Sequence, residues 1–296
     1  MQSSLPSSRV WDSMGMRSDT RAIILHADDV GIAHSVNDAV IAAFERGAID
    51  SCSAMVPCAP FAEFAKWAQS HKAADIGVHL TLTSSPSARF RPVLPAKQAP
   101  TLVDNDGNFP VSWPATSPVN MGELEAELRA QIDRALALGI DVTHLDGHQH
   151  ILQLRGAALF ELFDRIAGEY RLPYRVAKSW YMRAPWLEAK AGHDTIPMEK
   201  LISPSATDAK PDAWSAWYAE RVRAIPPGLT ELFMHPGYDT PELRALLPDE
   251  RPWGSAWRQR DFDMLFSGEI ADALKSSGAV RTGWRRVRSA LRTAGK

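Results

Sequence analysis

Short apolar runs alternate with stretches of helical period from about residue 21 to the end of the chain. The runs Ala22 to Ala27, Ser51 to Val56, Ile76 to Leu82, Val142 to His148, Tyr174 to Ala177, Glu231 to His235 and Ala279 to Thr282 have strand length, which predicts seven strands. Between them, Val36, Ala39, Val40, Ala43 and Phe44 recur at the i, i+3, i+4 spacing of one helix face, and Gly47 follows where a helix end favours glycine. Leu124, Leu128, Ile132 and Leu136 mark a second helix, opened by Asn120 and Glu123 at capping distance and closed by Gly139. Strands alternating with helices predict an α/β protein built of β/α units. Two segments, 83–119 and 179–211, lack a clear period, and loops of that length in a compact enzyme are expected to border the site. Trp180, Tyr181 and Trp186 in the second offer stacking faces, whereas Trp214 and Trp217 at i, i+3 read as a helix packing face.

Composition narrows the class. A chain of 296 residues with 45% hydrophobic content can bury a large core, which suits one enzyme-sized domain, placed at 21–284. A net charge of -2 supplies no basic stripe for nucleic acid and no attraction to acidic membranes. Residues 1–20 are rich in Ser and Arg without an apolar run of signal-peptide length, so they read as a flexible extension of a cytoplasmic protein with no membrane insertion. The chain end from Arg281 to Lys296 is basic, best explained as a solvated terminal helix, and 285–296 read as a basic tail beyond the domain. Cys52 and Cys58 are too few for a disulfide framework and read as reduced packing residues.

Four strings carry chemistry. In Thr143 to His150, the groups His144, Asp146, His148 and His150 stand two apart, a spacing that puts side chains on one strand face. Buried imidazoles and carboxylates need partners, so packing alone is a poor reason for four of them. The run Ile23 to Leu25 leads into His26, Asp28 and Asp29 before Gly31, and His79 is the one ionisable group in Ile76 to Leu82. Strand ends in α/β proteins face a shared crevice, and mixed His and Asp ligation leaves a metal position open for water. Asp29, His79 and a histidine of the third string therefore read as ligands, with Asp28 free as a general base. Adjacent strand residues point to opposite faces, so the strand must end near Asp28 for both aspartates to serve one site. The fourth string, Glu231 to Tyr238, ends a strand at His235 before Pro236-Gly237, and this histidine is the candidate proton donor to a leaving group.

The ordered strings H-A-D-D-V-G, G-V-H-L-T-L, T-H-L-D-G-H-Q-H and M-H-P-G-Y resemble those of the YdjC/ChbG-type carbohydrate deacetylases, a group that includes hopanoid-pathway deacetylases and is related to the polysaccharide deacetylases. The resemblance implies a TIM-like (β/α) barrel, distorted or seven-stranded, with the metal motifs on its C-terminal rim. It implies Asp28 as base, Asp29, His79 and His148 as ligands of one divalent ion (Zn2+, with Mg2+, Mn2+ or Co2+ as alternatives) and His235 as acid. The expected activity is hydrolytic removal of an acetyl group from an N-acetylated sugar or glycoconjugate, in a chain free to form a homo-oligomer. His26 stands where many relatives have Asn, and Ile151 and Leu152 follow His150 where many continue H-Q-H-V-H. The same residues leave two alternatives: a hydrolase of another amide, ester or phosphoester, and a carbohydrate-binding protein without turnover.

Overall fold

A computed structural model describes residues 6–17, 19–113, 118–190, 195–205, 210–249 and 252–294. Seven parallel strands form one sheet: β1 (Arg21–Val30), β2 (Ser51–Ala54), β3 (Ile76–Leu80), β4 (Val142–Gly147), β5 (Lys200–Ile202), β6 (Gly228–Met234) and β7 (Val280–Arg281). The ladder runs β4-β3-β2-β1-β6-β5, and β7 pairs with the start of β1 at Ala22 and Ile23. Tyr174–Ala177, expected to be a strand, makes only single bridges, from Tyr174 to Leu145 on β4 and from Ala177 to Met198 just before β5. That segment spans the two ends of the ladder in place of a regular strand, giving a distorted, barrel-like α/β fold. The three residues of β5 were too short a run to stand out among the polar residues around them.

Helices cover the outside. His34–Glu45 turns Val36, Ala39, Val40 and Ala43 inward and ends at Gly47, whose φ of +65° suits glycine. Met121–Ala137 buries Leu124, Leu128 and Ile132, and the Asn120 side chain accepts from the Gly122 and Glu123 amides. Glu123 does not reciprocate as a capping box would, because its carboxylate accepts from Thr101 instead. Covered on both faces, β1 is buried from Ala22 to Val30, which is why it reads as a near-continuous apolar run.

Both chain ends are better packed than the sequence suggested. Pro6–Ser13, within the expected flexible extension, is a helix, and Val10, Trp11, Met14 and Met16 are buried. It packs on the helix Trp284–Ala294, where Trp284, Val287 and Ala290 are buried, so 285–294 is no loose tail. A few apolar anchors hidden among Ser and Arg account for the difference. Residues 1–5 and 18 of the extension and the last two of the tail lie outside the described residues. Both cysteines are free and buried, and no helix among the described residues is long and apolar enough to cross a membrane.

Candidate active site

Two local irregularities at the strand ends assemble the site. Asp29 has a φ of +65°, and the pairing of β1 with β2 slips between Ala27 and Val30. This bulge breaks the pleat, so adjacent Asp28 and Asp29 line the same cavity although the strand itself continues to Val30. Past Gly147, Gln149 and His150 both adopt left-handed φ, 56° and 54°. The period-two reading of T-H-L-D-G-H-Q-H therefore holds for His144 and Asp146 inside the barrel and fails beyond β4, where a turn carries His148 to the cavity.

Three atoms converge there. His79 Nε2 is 3.3 Å and His148 Nδ1 3.2 Å from Asp29 Oδ1, and the two nitrogens are 3.3 Å apart. Ligand bonds of about 2.0–2.1 Å in tetrahedral geometry set donor atoms about 3.3 Å apart, so the residues fit a metal ion. Asp29 Oδ1 is buried without a hydrogen-bond partner, which costs energy unless something binds it. Asp146 Oδ1 sits 2.8 Å from His79 Nδ1 and so directs Nε2 toward Asp29 and His148. Burial opposes charge on His79, yet Asp146 and Asp28 outweigh it and hold the imidazole up at about 10. Two other donor groups occur among the described residues, Asp28-His79-Asp146 and His26-His144-Asp146. Their carboxylates are already bonded: Arg175 reaches both Asp28 and Asp146, and Ser53 donates to Asp146 at 2.9 Å.

Asp28 is not free. Arg175 donates to both its oxygens, at 2.9 and 2.7 Å, and to both oxygens of Glu231, at 3.2 and 2.8 Å. Burial opposes ionisation of Asp28, but Arg175, aided by His79 and His26, holds the carboxyl well below its ordinary range. His26 lies between Ser51 and Ser53, with Nε2 3.1 Å from Asp28. Asp29 is matched by a second arginine: Arg258 Nη2 donates to its Oδ2 at 2.6 Å. His235 Nε2 lies 4.0 Å from the same oxygen. Burial pushes His235 down to about 4, with Arg258 adding to the effect and Asp29 opposing it, so its imidazole is far from an unperturbed one. Its backbone N–H donates at 2.9 Å to Asp261, a buried carboxylate that also accepts from Trp214 and Tyr218.

His144 stays in the barrel interior, stacked on Trp284. His150 lines the cavity against Trp180 and Phe233, and burial pushes it down to about 3. Ile151 and Leu152 are core residues. Arg175, Arg258 and Asp261 were missed in the sequence. The first was legible as a lone charge in an apolar run, the same signal that singles out His79.

The cavity encloses about 530 Å³. The first long loop lines it with Ser84–Ser87 and Val111, whereas the second reaches it through Trp180, which backs His150.

The fold and site define an α/β protein with a histidine- and carboxylate-lined cleft at the carboxyl ends of its strands. The chain belongs to the YdjC-like protein family, whose profile matches residues 22–276. It is 34% identical over 279 residues to a carbohydrate deacetylase of Thermus thermophilus, an alignment covering 92% of this chain and 95% of that one. A carbohydrate deacetylase of Geobacillus stearothermophilus is 30% identical over 159 residues, 54% of this chain and 61% of the relative. A crystal structure from Enterococcus faecalis, assigned provisionally to cellobiose-phosphate cleavage, superposes with a TM-score of 0.76 at 26% identity, covering 90% of this chain and 98% of that one.

Proposed function

We propose that the chain is a metal-dependent carbohydrate deacetylase, a hydrolase that removes the acetyl group from an N-acetylated sugar or glycoconjugate. The near-equilateral Asp29-His79-His148 triangle carries this reading, and relatives named carbohydrate deacetylase support it. Those three residues would hold one divalent ion; Zn2+ suits two imidazoles and a carboxylate best, with Mg2+, Mn2+ or Co2+ as alternatives. When bound, such an ion acidifies a water and polarises an acyl carbonyl.

Asp28 would accept the proton of the attacking water. Arg175 fixes both its oxygens, and the proton affinity it takes from Asp28 would be offset by the acidity of a metal-bound water. His235 would protonate the departing nitrogen, because an amine anion is a prohibitively poor leaving group. An imidazole titrating at about 4 is neutral near pH 7, and negative charge developing on the substrate during attack would raise it toward that task. The test is acetate release from a panel of N-acetylated mono- and disaccharides. Release that a chelator abolishes and added divalent metal restores is expected. Metal-loaded protein that releases no acetate from any of them, yet cleaves a phosphoester, would overturn the reading.

A further inference from the structure

Two chemically unlike segments line the cavity. Ser85 and Ser87 offer hydroxyls, whereas Leu246–Pro248 and Pro252–Trp253 offer apolar side chains. Trp253 rests on buried Trp257, with ring centroids 5.7 Å apart, but is itself 41% exposed and its φ is +64°. A bulky residue in that region stores roughly 1–3 kcal/mol of strain, which persists only where the surroundings enforce it. They do so here. Arg258 Nε donates to the Trp253 carbonyl at 2.9 Å, and Ser255 N–H donates to the Leu247 carbonyl at 3.0 Å. A Cβ on Gly254 would meet the Pro248 carbonyl oxygen at 2.5 Å, so the turn beside Trp253 needs a glycine. The fold thus keeps a large ring partly in solvent, against its conformational preference, at the mouth of the cleft. The arginine that fixes it also binds Asp29, and the indole centroid is 6.2 Å from the His235 ring.

We propose that Trp253 is the stacking platform for the sugar ring that bears the scissile acetamide, and thereby a specificity-determining residue; this rests on the deacetylase reading. A pyranose has an apolar C–H face and a rim of hydroxyls, which matches an indole face together with serine hydroxyls. A ring stacked on Trp253 lies within about one sugar of His235, so it is the reacting ring and not a remote one. A ringless acetamide can use neither feature.

Trp253→Gly tests this directly, because glycine adopts φ near +64° without strain. Stability should be unchanged or raised, and metal content unchanged. Affinity of the metal-free protein for the panel sugar with the highest turnover, measured by calorimetry, should fall roughly 3- to 10-fold, the range of one aromatic contact. Trp253→Phe should stay within about twofold of the parent, and hydrolysis of N-acetylethanolamine should be indifferent to both changes. Equal sugar affinity in the parent and Trp253→Gly would overturn the proposal. So would weakened binding of long-chain acyl amides with sugars unaffected, which would make the apolar segment an acyl groove. If the parent itself binds no sugar and releases no acetate, the deacetylase reading falls and this one falls with it.

Discussion

The two ends of the strands carry carboxylates in contrasting states. At the amino ends Asp50, Asp75 and Asp141 each stand one residue before a strand, β2, β3 and β4 respectively. Asp50 accepts from the Leu25 amide and Arg281, Asp75 from the Arg285 amide and Thr143, and Asp141 from Arg285 and Arg288. At the carboxyl ends, Asp29 Oδ1, His148 Nε2, His150 Nδ1 and His235 Nδ1 are buried without partners. Asp29, Gln149, His150 and Trp253 also hold left-handed backbones there. Of the aspartates compared, only Asp29 keeps a buried oxygen without a partner, and it sits among left-handed residues, which is how a ligand site differs from a structural one.

The sharpest way to break this contrast is at the triangle. His148→Ala should lose its metal and fall to background turnover, while Asp28→Asn should keep the metal and lose roughly 10²- to 10⁴-fold in turnover. Elemental analysis separates them, and equal loss of metal in both variants would make Asp28 a ligand. Removing the support behind the triangle should do less: Asp146→Asn should weaken metal affinity about 10- to 100-fold in a chelator competition. Unchanged affinity would mean that the contact between Asp146 and His79 does not orient the ring.

The smallest effect belongs to the opposite end and leaves activity alone. Burial raises Asp50 to about 6 in the folded chain, against about 4 when unfolded, and Arg281 only partly offsets it. A raised carboxyl means that the folded state binds more protons between these values. Its stabilising contribution is therefore full below about pH 4 and lost as pH rises to about 6. Denaturant melts of Asp50→Asn should show that part of the fall flattened, by on the order of 1–2 kcal/mol, with turnover unchanged. A variant curve parallel to the parent from pH 4 to 7 would exclude this role.

The α/β class and the four strand-end strings were legible because each is written locally, as an apolar run leading into ionisable groups. What escaped depended on residues far apart or on backbone sign. Nothing in D-D-V-G declares a left-handed Asp29, so only the need for a strand end near Asp28 could be inferred; the solution is a bulge. His148 was reachable in the sequence through family likeness, since the turn at Gln149 and His150 overrides the period-two rule. Arg258 lies on Ser255–Leu265, where Trp, Arg and Asp face inward and blur the apolar stripe that would have marked the buried side. The aromatic residues expected to stack were partly misplaced. Trp186 donates to the Gln153 carbonyl and Trp180 backs His150, leaving Trp253 at the cavity.

The two adjacent aspartates take their counter-charges from parts of the chain made long after them. Arg175 lies 147 positions after Asp28, and Arg258 lies 229 positions after Asp29. During synthesis, β1 is among the first elements to emerge, yet its acidic bulge lacks its second arginine until the last fifth of the polypeptide has docked. A truncated chain that ends before Arg258 would carry Asp29 unmatched in a closing barrel, so it would settle late or not at all. Completion of the cleft thereby waits on a segment made near the end of synthesis.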